Sequence, residues 1–99
     1  MVKIYKGTYY DELNINIMTG ETLSKAMLYD PITKSSIEFS ITSTKENLYN
    51  LVLSPDDTRK AQEADYNLEL MSKYGDTEKF KMIACFVNFA KVVKSSEGD

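Results

Sequence analysis

Apolar and polar residues alternate one by one in several segments of this chain, and this alternation limits the fold more than any other feature. In the segment 36–42, Ile37, Phe39 and Ile41 share one side of an extended strand and polar residues occupy the other side. Four further segments have strand-like alternation or length: 11–17, 22–30, 48–54 and 65–71. Six or seven short strands, separated by turns about every 8–12 residues, predict an antiparallel β-sandwich or barrel.

The last apolar segment, 79–93, changes its phase partway along. Phe80 and Met82 occupy even positions, whereas Val87 and Phe89 occupy odd ones. If all four side chains face the core, the chain must slip by one residue between the two pairs. The pattern therefore predicts a bulge or a bend between two strands.

One short helix is predicted between two strands, over residues 55–62. Ser54 has the residue type of an N-cap, and Pro55 suits the first helical position. Asp57 follows Ser54 at capping-box spacing, and the helix dipole favours negative charge in the first turn. Asp56 and Asp57 are also considered as a carboxylate pair or cation site, but capping alone explains two acids at this place.

The chain offers few residues for catalysis or metal binding. It contains no histidine, which removes the usual general base and the commonest zinc ligand. Its one cysteine, Cys85, cannot form an intrachain disulfide, and its apolar neighbours predict a buried side chain that acts as a small hydrophobe. Neither a phosphate-binding loop nor a calcium loop is present in the sequence. We therefore expect no enzyme activity, no metal and no cofactor.

Charge and composition favour a protein partner over nucleic acid or membrane. The formal net charge is −3, whereas a nucleic-acid binder normally presents a basic face. The longest apolar stretch, 82–87, is far shorter than the roughly 20 residues of a membrane span. Tyrosine is enriched at protein interfaces, and Tyr9, Tyr10 and Tyr74 lie near the chain start or a turn. We predict that the protein binds its partner through these three residues or through an open sheet edge.

Several segments resemble the small immunoglobulin-like β-domain of tailed-phage structural proteins, such as the N-terminal domain of siphophage baseplate upper proteins. The similar segments are IYKGTYYDELNINI at 4–17, AMLYDPITKSSIEFSI at 26–41, LYNLVLSPDDTRKAQEADYNLELM at 48–71 and MIACFVNFAKVV at 82–93. The most specific is 48–71, with its strand, Ser-acidic-Thr turn and Tyr-containing strand. The chain departs from the family at 62–64, where Gln-Glu-Ala replaces Pro-Gly.

This resemblance implies an all-β, immunoglobulin-like sandwich of about seven strands over residues 1–93, with a polar tail at 94–99. It also implies a virion protein, assembled in the host cytoplasm, that acts as a tail, baseplate or neck adaptor. Its partners would be other phage structural proteins, with several copies in one assembly and without catalysis. The alternative is a small inhibitor, encoded by a phage or mobile element, that binds and blocks a host protein.

Overall fold

The alternating segments form two packed β-sheets, so the prediction of an all-β sandwich is confirmed. The computed structural model describes residues 1–92, and the polar tail predicted at 94–99 lies outside the described residues. Within residues 1–92 there are eight strands and one short helix: β1 Val2–Tyr5, β2 Tyr10–Asn16, β3 Glu21–Tyr29, β4 Ser36–Glu38, β5 Ser40–Lys45, β6 Leu48–Leu53, α1 Pro55–Arg59, β7 Asp65–Tyr74 and β8 Thr77–Ala90.

The order of the strands is that of an immunoglobulin-like sandwich. One sheet has the order β1-β8-β7-β3-β4 and the other β2-β6-β5. If β2, β6 and β5 are strands B, E and D, then β8, β7, β3 and β4 are strands G, F, C and C′, as in variable-type domains. Strand β1 pairs with β8 in parallel, whereas all other strand pairs in residues 1–92 are antiparallel.

Apolar side chains from both sheets meet in one core. The buried hydrophobic residues come from six of the strands, from the β4–β5 connection and from the segment after the helix: Ile4, Leu23, Ala26, Leu28, Ile37, Phe39, Leu51, Leu53, Ala61, Tyr66, Leu68, Leu70, Val87 and Phe89. Strand β2 contributes only half-buried apolar side chains, such as Leu13 and Ile15, that pack against this core. Ile41 of β5 is likewise only half-buried, so the sandwich is less tightly closed along the two outer strands of the three-stranded sheet than at its centre.

The segment 36–42, predicted as one strand, is divided between the two sheets. Ile37 pairs with Leu28 in the five-stranded sheet, whereas Ile41 pairs with Leu51 in the three-stranded sheet. Phe39 lies between β4 and β5 and remains buried. This division and β1, which the sequence did not predict, each add a strand. The segment 79–93, where two strands were predicted, forms the single strand β8, so the total is eight strands instead of about seven.

The short helix begins as predicted and ends earlier. The backbone N–H of Asp57 donates to Ser54 Oγ at 3.1 Å, and the Asp57 carboxylate accepts from the Ser54 N–H at 2.9 Å, which completes the capping box. The helix ends at Arg59 with Lys60 as its C-cap, three residues before the predicted end at 62. Thr58 is buried and its hydroxyl donates to the carbonyl of Thr8 at 2.7 Å, which ties the helix to the β1–β2 connection.

The irregularity predicted in the last segment is a bulge of two extra residues, and the predicted slip of one residue is wrong. Tyr66 pairs with Val87 and Leu68 pairs with Ile83, so a step of two residues in β7 spans four residues in β8. The bulge places Cys85 at a φ of +52°. Its side chain is exposed, which corrects the prediction of a buried cysteine.

Because two is an even number, the bulge does not exchange the faces of β8. Val87 and Phe89 face the core, and Ile83 faces the same side. Phe80 and Met82 have the opposite parity, so they lie on the outer face of the five-stranded sheet. The phase change in the sequence therefore marks a strand that presents apolar side chains outside the core.

Candidate protein-binding edge

Strands β7 and β8 form a long hairpin around a two-residue turn. Gly75 occupies the first central position with a φ of +61°, and Asp76 the second, which is the pattern of a type II′ turn. A residue with a side chain would be strained at this φ. Because the turn closes on the pair Tyr74–Thr77, the register of the whole hairpin is set by this turn.

The first half of β8 has an open edge. On one side β8 pairs with β7 from Thr77 to Asn88. On the other side β1 covers only Val87–Ala90. The segment Thr77–Ile83 therefore has no second partner strand within residues 1–92, and all of its residues are exposed.

The hairpin geometry determines which backbone groups point outward from this edge. The residues that close a type II′ turn, Tyr74 and Thr77, form a hydrogen-bonded pair. Hydrogen-bonded and non-hydrogen-bonded pairs alternate along an antiparallel ladder. The N–H and C=O groups of Glu78, Phe80 and Met82 therefore point away from β7. They are available to an added strand.

Apolar side chains lie on the outer face beside this edge. Phe80 is 62% exposed and Met82 is 49% exposed. Phe80 lies directly opposite the half-buried Met71 of β7, and Met82 lies opposite Glu69, which in turn pairs with Met27 of β3. Methionine adapts its shape readily, which suits a surface that packs against a partner.

The inner side of the same segment borders an open cleft between the sheets. The cleft has a volume of about 390 Å³ and lies between the β7–β8 hairpin and β2. Apolar residues form much of its lining, namely Ile15, Ile17, Met18, Leu23 and Leu70, and Phe80 also borders it along the edge strand. Lys79 and Lys81 also line it, with their aliphatic stems available to cover apolar surface.

The two lysines differ in their electrostatic surroundings. Lys79 Nζ lies 3.6 Å from the Glu21 carboxylate, which also accepts a hydrogen bond from Ser72 Oγ at 2.7 Å. The Ser72 hydrogen bond is the main cause that lowers the pKa of the Glu21 carboxyl, followed by the Met18 backbone and the charge of Lys79. Lys81 is exposed and has no ion pair among residues 1–92. It is therefore the cation at this edge that an external carboxylate could neutralise.

The three tyrosines predicted to bind a protein do not form one surface. Tyr9 is 59% exposed in the β1–β2 connection, and Tyr74 is 52% exposed at the tip of the β7–β8 hairpin. Tyr10 is half-buried against the core, and this burial, with the nearby charge of Glu12, raises the pKa of its hydroxyl. Tyr9 and Tyr10 lie at the start of β2, whereas Tyr74 contacts the β2–β3 turn at its other end. Their role in binding stays a prediction for two separate places.

The acidic pair considered as a cation site has a structural role. Asp57 completes the capping box, and Asp56 forms an ion pair with Arg59 on the exposed side of the helix. In the part of the chain that the structure describes, no group of three or more His, Cys, Asp or Glu side chains could hold a metal ion. The same part contains no helix with the length and apolarity needed to cross a membrane.

Comparison with known proteins adds no relative from which a role could be transferred. No protein-family model matches the chain, and no match was found among curated proteins or solved structures. Which strand carries the open edge was not predicted from the sequence. Its signal was the phase change in the last segment, since two large apolar side chains stand out of phase with the core positions.

Proposed function

We propose that this protein is a protein-binding β-domain that acts as an adaptor or attachment domain in a phage particle, without catalysis. The open edge Thr77–Ile83 is the observation that carries the binding role. The virion setting is supported by the resemblance to tailed-phage structural domains over residues 4–93. Its partners are other structural proteins of the particle, in which the domain is present in several copies.

The edge is suited to binding by strand addition. It presents three outward-pointing backbone positions at Glu78, Phe80 and Met82, and exposed apolar side chains at two of them. Main-chain hydrogen bonds to such an edge supply affinity, and alternate side chains supply specificity. Long open edges are normally shortened, covered or blocked in proteins that act alone. A seven-residue edge with an exposed Phe and Met is therefore best explained by a partner that covers it.

A proline scan tests the edge directly. Met82→Pro removes an N–H that points away from β7, so it should preserve the hairpin and block strand addition. Met82→Ala is the matched control, because it removes the same side chain and keeps the N–H. Lys81→Pro should instead break the ladder to β7 and lower the melting temperature.

The readout is incorporation into particles. Cells infected with a phage that lacks the gene are supplied with each variant, and the purified particles are analysed by mass spectrometry. We expect the wild type and Met82→Ala in the particles and Met82→Pro excluded, with all three proteins folded by circular dichroism. Incorporation of Met82→Pro at the wild-type level would refute binding through this edge. Absence of the wild type from particles, together with its recovery bound to one host protein, would favour the inhibitor instead.

A further inference from the structure

We propose that the strand added to Thr77–Ile83 is an antiparallel, extended segment of another protein in which acidic and apolar residues alternate. Acidic side chains would face Lys79 and Lys81 on the cleft side, and apolar side chains would lie beside Phe80 and Met82 on the outer side. This inference rests on the proposed function, because it names the chemistry of the partner at the same edge.

The edge is poorly suited to pairing with a second copy of itself. Because only Glu78, Phe80 and Met82 point their backbone groups outward, antiparallel self-pairing can change register only in steps of two residues. Three registers pair five or more of the seven residues of the edge. They place Lys79 opposite Lys81, Lys79 opposite itself, or Lys81 opposite itself, and like charges directly opposite each other destabilise a strand pair. Lysines on an edge are a known barrier to self-association.

The same lysines favour an acidic partner. Residues opposite Lys79 and Lys81 in an added strand occupy non-hydrogen-bonded positions, where the side chains of an antiparallel pair approach most closely. Lys79 is already partly neutralised by Glu21 at 3.6 Å, whereas Lys81 has no ion pair within residues 1–92. An acidic side chain opposite Lys81 would therefore contribute the larger part of the charge selectivity.

The outer face of β8 favours apolar residues at the alternate positions of the added strand. Phe80 and Met82 stand two residues apart on the outer face, with Met71 beside Phe80 on the next strand. Apolar side chains of an added strand at the positions opposite Phe80 and Met82 would remove this surface from water. The two faces together therefore require alternation at a period of two residues.

A titration of the full chain with synthetic peptides tests this pattern. The probe is a peptide of about seven residues that alternates glutamate with valine, begins and ends with glutamate, and so matches the length of the edge. One control peptide has the same composition in two blocks, and a second alternates lysine with valine. Binding is followed by NMR at low salt, through the backbone amides of Glu78, Phe80 and Met82.

Charge reversal at one lysine is the decisive comparison. In Lys81→Glu the affinity for the glutamate–valine peptide should fall by about three- to tenfold, and the lysine–valine peptide should now bind more tightly. Lys45→Glu makes the same change of net charge on the exposed strand β5 and should leave both affinities unchanged. Circular dichroism of both variants checks that the fold is retained.

Three outcomes would overturn this inference. They are equal binding of the glutamate–valine and lysine–valine peptides, equal binding of the block peptide, and dimers of the free protein that protect the same three amides. If one of these occurs while Met82→Pro is still excluded from particles, the edge is the binding site and only the acidic pattern is wrong. If Met82→Pro is incorporated normally, the proposed binding role of the edge fails as well.

Discussion

The hydroxyl of Tyr66 connects three parts of the sandwich, so its removal should lower the free energy of unfolding even though the ring stays in place. It accepts a hydrogen bond from the backbone N–H of Gln62 at 2.8 Å and donates one to Ser35 Oγ at 2.9 Å. It thereby joins the start of β7 to the segment after α1 and to the β3–β4 connection. A tyrosine near the start of strand F that bonds back to the backbone is also a feature of immunoglobulin-like domains.

Tyr66→Phe removes both hydrogen bonds and leaves the apolar packing unchanged. The Tyr66 ring is fully buried and meets the Phe89 ring edge to face at a centroid distance of 5.1 Å, a contact that phenylalanine can keep. Each hydrogen bond contributes about 0.5–1.5 kcal/mol, so the free energy of unfolding should fall by about 1–3 kcal/mol. For a domain of this size, 2 kcal/mol corresponds to a decrease of roughly 8–16 °C in melting temperature.

Urea unfolding followed by circular dichroism measures this change. Tyr74→Phe is the matched control, because it removes the same hydroxyl from an exposed ring and should alter stability by less than about 0.5 kcal/mol. Ser35→Ala removes one of the two partners and should cost about half as much as Tyr66→Phe. If Tyr66→Phe and Tyr74→Phe prove equally stable, the hydroxyl does not connect these segments and the reasoning is refuted.

Three further predictions concern the helix start, the response to acid and the tip of the hairpin. Ser54→Ala should lower the free energy of unfolding by about 1 kcal/mol in the same urea assay, and no change would mean that the capping box is unimportant. Folding lowers the pKa values of Glu21 and Asp30, mainly through hydrogen bonds from neighbouring hydroxyls. The contribution of these carboxylates to the free energy of unfolding is therefore complete above their unfolded pKa values of 4.5 and 3.8, and it is lost as the pH falls through their folded pKa values. Thermal melts should therefore show falling stability below about pH 4, and a flat profile there would contradict this. Gly20→Ala should destabilise by about 1 kcal/mol or more, because Gly20 has a φ of +90° and an added Cβ would lie 3.0 Å from the Tyr74 ring; unchanged thermal stability would disprove this tight contact.

Local patterns in the sequence were sufficient to predict the elements whose structure depends on residues close together in the chain. The capping box at Ser54 was predicted correctly because it joins residues only three positions apart. The strand at 65–71 was also predicted, because its alternation reports burial on one face. The exposure of Cys85 was not, because apolar neighbours cannot show that a bulge turns this residue outward.

The same limit explains why the sequence could not show where the three tyrosines lie relative to one another. Tyr9 and Tyr10 are adjacent in sequence, yet one is exposed and the other packs against the core. Tyr74 lies at the far end of β2 from both of them. Residue type and position near a turn do not reveal which end of the sandwich a turn occupies, since that depends on strand order.

The sequence by itself determined that this protein is all-β, because alternation at a period of two residues requires one apolar and one polar face on each strand. Only the tertiary structure decided which strand remains at an open edge, because the pairing of β8 with the short β1 depends on contacts more than 80 residues apart along the chain. The same long-range pairing leaves Thr77–Ile83 uncovered, and the pairing with β7 places Phe80 and Met82 on the outer face of the sheet. Local periodicity thus determines the fold class, whereas the surface proposed to bind a partner exists because strands distant in sequence pair over only part of their length.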